Sequence, residues 1–119
     1  MYEEKTTKTI TIIGSSQYYE KMLRHKEQLE HENKFVRVFM PAFDSSSFDE
    51  LQICLYNNAR IKEADEIHVF WDQRSMGTLF DLGICFALSK PIKIIYLEKK
   101  TFANVMKMYE EKSKKYMEE

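Results

Sequence analysis

Four short runs rich in β-branched and aromatic residues constrain this chain more than any other feature. They are Lys8 to Gly14 (KTITIIG), Phe35 to Met40 (FVRVFM), Ile67 to Trp71 (IHVFW) and Ile92 to Leu97 (IKIIYL). Each reads as a strand, and each is followed by a stretch with helical periodicity. No hairpin signal joins any two of them. Strands that alternate with helices in this way form a parallel sheet, and right-handed crossovers leave few topologies open.

The expected class is therefore α/β: a flavodoxin-like, three-layer α/β/α fold with a parallel sheet in the order 2-1-3-4. At 119 residues the chain is read as one domain, residues 1–119, large enough to bury a core without disulfides or structural metal. The first helix is expected to be capped by Ser15 or Ser16 and to run to about Glu32, with Tyr18, Met22, His25 and Leu29 inward. Pro41 closes the second strand, and the Ser45-Ser46-Ser47 run after it is a candidate lid. The second helix is expected from about Phe48 to Lys62, with Leu51, Cys54, Leu55, Asn58 and Ile61 inward. The third is expected from about Thr78 to Leu88. It is apolar nearly all round, so one side is expected to meet a partner subunit, with Phe80, Ile84, Ala87 and Leu88 supplying interface residues. The last is expected from Phe102 to the C-terminus, with Phe102, Val105, Met106, Tyr109 and Tyr116 inward.

In the 2-1-3-4 order the switch point lies between the first and third strands, and ligands bind at the carboxyl ends there. Those ends are Gly14-Ser15-Ser16 and Trp71-Asp72. The stretch WDQRSMGTLFDLG, Trp71 to Gly83, runs from strand through polar loop into helix, an arrangement that suits small anionic or nucleotide-like ligands. The chain has three glycines, Gly14, Gly77 and Gly83, and all fall beside this crevice. Asp72 and Asp81 bracket the loop, and each has two readings. Asp81 is either the acid of a capping box with Thr78 or a first-turn carboxylate, held ionised by the helix dipole, that faces a ligand. Asp72 either initiates the loop or contacts the ligand. Trp71 is core or pocket wall, and Tyr18 and Tyr19 read as helix packing. Cys54, Cys85 and His68 read as core.

Composition excludes several classes. Lys and Arg (18) are matched by Asp and Glu (19), so no basic surface for a nucleic acid polymer is indicated. No apolar run approaches the roughly 18 residues that span a bilayer, and MYEEKTTK lacks the apolar segment of a signal peptide. The two cysteines have no metal-binding spacing with the scattered histidines, and they read as reduced thiols of a cytoplasmic protein. The glycine-rich phosphate loops of nucleotide hydrolases and dinucleotide enzymes are absent. No histidine is placed at the crevice for a Ser-His-Asp set.

Several of these residues together resemble the nucleoside 2-deoxyribosyltransferase-like superfamily. The likeness covers most of the chain: ITIIGSS at the first strand, Ala64-Asp65-Glu66 before the third, Trp71-Asp72, Gly77-Thr78-x-x-Asp81-x-Gly83, and Ala87-Leu88-x-Lys90-Pro91 before the fourth. The resemblance implies a flavodoxin-like homo-oligomer whose sites borrow residues from a neighbour. It also implies cleavage of the N-glycosidic bond of a nucleoside or nucleotide, with the sugar passing to another base or to water. By this likeness Asp81 is the nucleophile and Asp72 serves the base. Gly14, Ser15, Ser16, Trp71, Ser75, Gly77 and Thr78 form the ligand site, and no cofactor or metal is needed. The sequence departs from the family pattern in carrying Asp81 for a glutamate and Ser75 for an aspartate, and in ending after four strands. The expected partners are a small-molecule nucleoside or nucleotide and further copies of the chain, with no membrane. Two alternatives stand beside the enzyme: a non-catalytic nucleotide-binding or sensing module on the same fold, and an oligomeric interaction protein.

Overall fold

The computed structural model describes residues 7–42, 48–98 and 101–117. The Ser45-Ser46-Ser47 run and the Tyr116 side chain lie outside what is described. Strands β1 (Lys8–Gly14), β2 (Val36–Phe39), β3 (Glu66–Trp71) and β4 (Ile92–Leu97) form one sheet in the order β2-β1-β3-β4. Every pairing is parallel, as the alternation of strands and helices requires. β1 and β3 are central and nearly continuous in apolar residues because both of their faces are covered.

Period-two alternation divides the core into two layers. On one face Ile10, Ile12, Val38 and Phe70 pack with Tyr18 and Met22, beneath helix α1 (Tyr19–Glu32). On the other, Ile13, Ile67 and Val69 pack with Ile61, Ala64 and Cys85 from the ends of helix α2 (Glu50–Glu63) and helix α3 (Met76–Ala87). The register between β3 and β4 slips at Val69/Phe70, so Ile94 pairs with Val69 and Tyr96 with Phe70. The extra residue, Ile95, joins Tyr96 against the α1 layer, as a bulge permits.

His68 is buried, as expected, and lies on the α1 side, but it is not an apolar filler. Its Nδ1 lies 2.7 Å from His25 Nε2, and its Nε2 lies 2.9 Å from Glu66 Oε1. Glu66 is in turn paired with Lys8. Burial lowers the affinity of both imidazoles for a proton.

Three expectations are corrected. α2 begins two residues later than expected, behind a capping box in which Gln52 N–H donates to Asp49 Oδ1 (2.8 Å) and Asp49 N–H to Gln52 Oε1 (2.9 Å). It turns Asn57 and Ile61 inward, leaving Leu51, Cys54 and Leu55 exposed, because the stripe that meets β1 runs at i, i+4 from Ile53 through Asn57 to Ile61. Cys54 is therefore an exposed thiol and not a core residue. Helix α4 (Phe102–Met117) does not cover the sheet: Phe102, Val105, Met106 and Tyr109 are all exposed instead of inward. The described residues span 72 Å in their longest direction against 32 and 31 Å in the others.

Candidate functional site

A cavity of about 380 Å³ opens at the carboxyl ends of β1 and β3, between α2 and α3. That volume falls in the range of small-molecule sites, and the place is the switch point of the sheet. Gly14, Ser15 and Ser16 line it from the end of β1; Ser75, Gly77, Thr78 and Asp81 line it from the start of α3. Seven of the nine residues read from the sequence as site residues thus come together. Trp71 and Asp72 do not line it.

Gly14 is there because β1 and β3 approach closely at that point. A Cβ built on Gly14 meets the Phe70 carbonyl oxygen, and lies 2.9 Å from Phe70 Cβ and 3.1 Å from Met22 Sδ. Gly77 and Gly83 have open space around the same position, and no glycine has a positive φ. Of the three glycines expected beside the crevice, Gly14 and Gly77 line it and Gly83 does not, and close approach requires a glycine only at Gly14. Gly83 sits exposed in the middle of α3, so Gly83→Ala should stabilise the protein by about 0.5–1 kcal/mol in urea unfolding. A loss of stability would show an unseen need for glycine there.

The loop between β3 and α3 is built on Asp72. Its Oδ1 accepts from the backbone N–H groups of Arg74 and Ser75, both at 2.8 Å, and its Oδ2 accepts from Gln17 Nε2 at 3.0 Å. Burial raises the pKa of this carboxyl. The amides of Arg74 and Ser75, with the hydroxyls of Ser75 and Ser15, outweigh burial and leave it below the ordinary value. Gln73 takes a left-handed conformation (φ 63°) at the tip of the turn. Ser75 Oγ then meets Ser15 Oγ at 2.6 Å, tying the β1 and β3 loops together at the cavity floor. Asp72 therefore sets the loop, and its oxygens are engaged with protein. Asp72→Ala leaves two amides without their acceptor and should cost about 2 kcal/mol. The measurement is chemical denaturation at pH 7; a cost near zero would contradict this role.

Asp81 is the opposite case. α3 starts at Met76 with Ser75 as its N-cap, two residues before the expected start. Thr78 is therefore inside the first turn and cannot cap the helix, and Asp81 lies in the second turn. The capping-box reading and the first-turn dipole reading both fall with that shift. Asp81 is 7% exposed and lines the cavity. No hydrogen bond or ion pair engages its carboxylate among the described residues. Burial alone pushes its pKa up from 3.8 to about 6. One turn on, burial and the Asp81 charge push the Cys85 thiol up to about 11, so that sulfur stays protonated.

Other expected features sit elsewhere. Neither Ser15 nor Ser16 makes a side-chain cap; a 3-10 turn, Ser16–Tyr18, precedes α1 instead. Tyr18 is buried edge-on to Tyr96 at 4.9 Å between centroids, and its hydroxyl donates to Glu98. Trp71 is half-buried against the α2/α3 layer, and its Nε1 has no partner among the described residues.

α2 supplies the wall that sequence reasoning missed: Glu50, Ile53, Cys54 and Asn57, with Ala42 and Phe80 beside them. Asn57 carried a usable signal, being a polar residue one turn before the buried Ile61. It accepts from Ala42 N–H at 2.9 Å and donates to Ala42 O at 3.3 Å, fixing the chain after β2. The described lining holds two carboxylates, Glu50 and Asp81, and no lysine, arginine or histidine.

Among the described residues no cluster of histidine, cysteine or acidic side chains is arranged to hold a metal ion, and no helix is long and apolar enough to cross a membrane. No protein-family model matches the chain, and a search of curated proteins finds no match to it.

Proposed function

We propose that the cavity binds a nucleoside and that Asp81 opens its N-glycosidic bond, with the sugar passing to water or to a second base. The observation that carries this reading is Asp81 itself: a buried carboxylate without a protein partner among the described residues, lining the cavity at the switch point. A buried acid of that kind is costly unless a ligand uses it. Its raised pKa leaves it ionised at neutral pH yet more basic than an ordinary aspartate, which suits a nucleophile.

In this mechanism an Asp81 oxygen attacks the anomeric carbon as the bond to the base breaks. The bond's electron pair leaves with the base nitrogen, which takes a proton from solvent. The transition state has oxocarbenium character, and the resulting glycosyl ester is then displaced by water or a base, as in retaining glycoside hydrolysis. Ser15, Ser16, Ser75 and Thr78 line the cavity, and their hydroxyls supply the polar contacts for the sugar in this reading. Asp72 is a positioning residue that acts through the Ser75 loop. The chemistry calls for no cofactor.

Two carboxylates and no cationic side chain in the described lining favour an uncharged nucleoside over a nucleotide, since a phosphate there meets like charge. Incubating the protein with nucleosides, nucleotides and dinucleotides, followed by chromatography for free base, tests the proposal. Release from one or more nucleosides is expected, with nucleotides poorer. The shorter reach of Asp81 relative to a glutamate favours a second reading, a nucleoside-binding module without turnover. Saturable binding with no release from any compound would establish that reading in place of the first.

A further inference from the structure

Two apolar surfaces lie exposed among the described residues, and they match each other. The first is on β4. Its residues Ile92 and Ile94 pair in register with Ile67 and Val69, and Leu97 pairs with Trp71. Their side chains therefore belong to the face that carries α2 and α3. α3 lies over the sheet centre beside α2, so Ile92, Ile94 and Leu97 stay exposed. At the start of β4, an apolar groove of about 560 Å³ is lined by Leu82, Cys85, Phe86, Pro91 and Ile92, and Phe86 is 89% exposed.

The second surface is α4. Phe102, Val105, Met106 and Tyr109 fall at i, i+3, i+4 and i+7, one seam of an amphipathic helix. All four are exposed, Phe102 at 78%. An isolated helix of this length is marginal in water, so its seam needs cover. The polar side of α4 carries Glu110 and Glu111 among Lys107, Lys112, Lys114 and Lys115. That mixed charge suits a solvated protein surface better than an anionic lipid one.

We infer that α4 of one copy docks its Phe102–Tyr109 seam on the bare α3–β4 face of a second copy, in a reciprocal exchange. The same chain carries both the helix and its groove, so a two-fold pair closes both surfaces at once. The two surfaces together present on the order of 1,000 Å² of apolar side chain per copy. A reciprocal exchange covers both surfaces at once, which meets the ~800 Å² per partner of a stable complex. This inference stands apart from the nucleoside reading and does not need it.

The test uses the full chain in a Cys54→Ser background, which removes the exposed native thiol. Light scattering at tens of micromolar is expected to give the mass of two chains. Ile94→Cys in one chain and Met106→Cys in another are expected, after mixing and mild oxidation, to give a covalent pair on a non-reducing gel. Phe102→Lys with Met106→Lys should convert the dimer to a monomer while the sheet domain keeps a cooperative melt, because both side chains are exposed and belong to neither core layer of the sheet. A monomer before any substitution would overturn the inference. So would a dimer that survives the lysine pair. A chain carrying both Ile94→Cys and Met106→Cys that closes only on itself would show that α4 covers its own β4, and would overturn it equally.

Discussion

Asp81→Asn is expected to stop base release and, at the same time, to make the protein more stable at pH 7. The two effects have one cause. The folded state holds the Asp81 proton more tightly than the unfolded chain, with a pKa of about 6 against 3.8. Between those values the folded state binds more protons, so stability falls as pH rises through that window. Above about pH 6 the whole penalty is present, and it amounts to about 3 kcal/mol at most. An amide of the same shape carries no charge, so the variant should gain about 1–3 kcal/mol at pH 7 and nothing near pH 3.5. His25 and His68 shift stability the other way, since their lowered pKa values make the fold lose stability as pH drops through the histidine range. Both forms share that contribution, and subtracting one melt from the other at each pH isolates Asp81. The wild-type kcat/KM should rise through about pH 6 to a plateau as Asp81 ionises. Asp81→Asn that is less stable than wild type at pH 7 would mean that the carboxylate makes a structural bond.

Gly14→Ala should be the most damaging small substitution in the sheet. The added carbon is aimed at the Phe70 carbonyl and lies within 2.9 Å of Phe70 Cβ. These atoms belong to the neighbouring central strand, so relief requires β1 and β3 to separate. Forcing one methyl into a packed core costs about 1–3 kcal/mol where side chains can yield. Here backbone must move, and the Ser15 N–H to Phe70 O bond at 3.2 Å stretches with it, so a loss of about 3 kcal/mol or more is expected. Ser15 and Ser16 follow Gly14 into the cavity, so nucleoside binding should weaken even in the molecules that fold. Urea unfolding gives the first effect and a binding titration the second. An alanine variant as stable as wild type would show that the two strands can part there at little cost.

The sheet was legible because its cause is local and repetitive. β1 and β4 have the bounds that their β-branched runs suggest, and the order is one of the few that right-handed crossovers leave open once the strands are placed. The third helix was placed two residues late because Thr78 looks like a cap. The residue that precedes the helix, Ser75, is instead positioned by Asp72, a contact visible only once the loop is folded. That shift of half a turn moved Asp81 from the helix end to the buried wall, and reversed the sense of its pKa shift. The α2 side of the cavity was misread for a different reason. Leu51 and Leu55 look like core at helical spacing, yet the stripe that meets β1 carries Asn57, whose amide is satisfied by Ala42 across a loop. α4 shows the limit of periodicity as evidence: the seam at Phe102, Val105, Met106 and Tyr109 is present, but an amphipathic pattern does not say which surface it covers.

The central claim is that Asp81 takes up the sugar. Intact-protein mass after acid quench during turnover, followed by peptide mapping, measures that event itself. For a nucleoside that the protein cleaves, a sugar-sized adduct should appear on the peptide that contains Asp81, and Asp81→Asn should bind the same nucleoside yet carry no adduct and release no base. Base release at an undiminished rate by Asp81→Asn, with no adduct on Asp81 in the wild-type protein, would contradict the account.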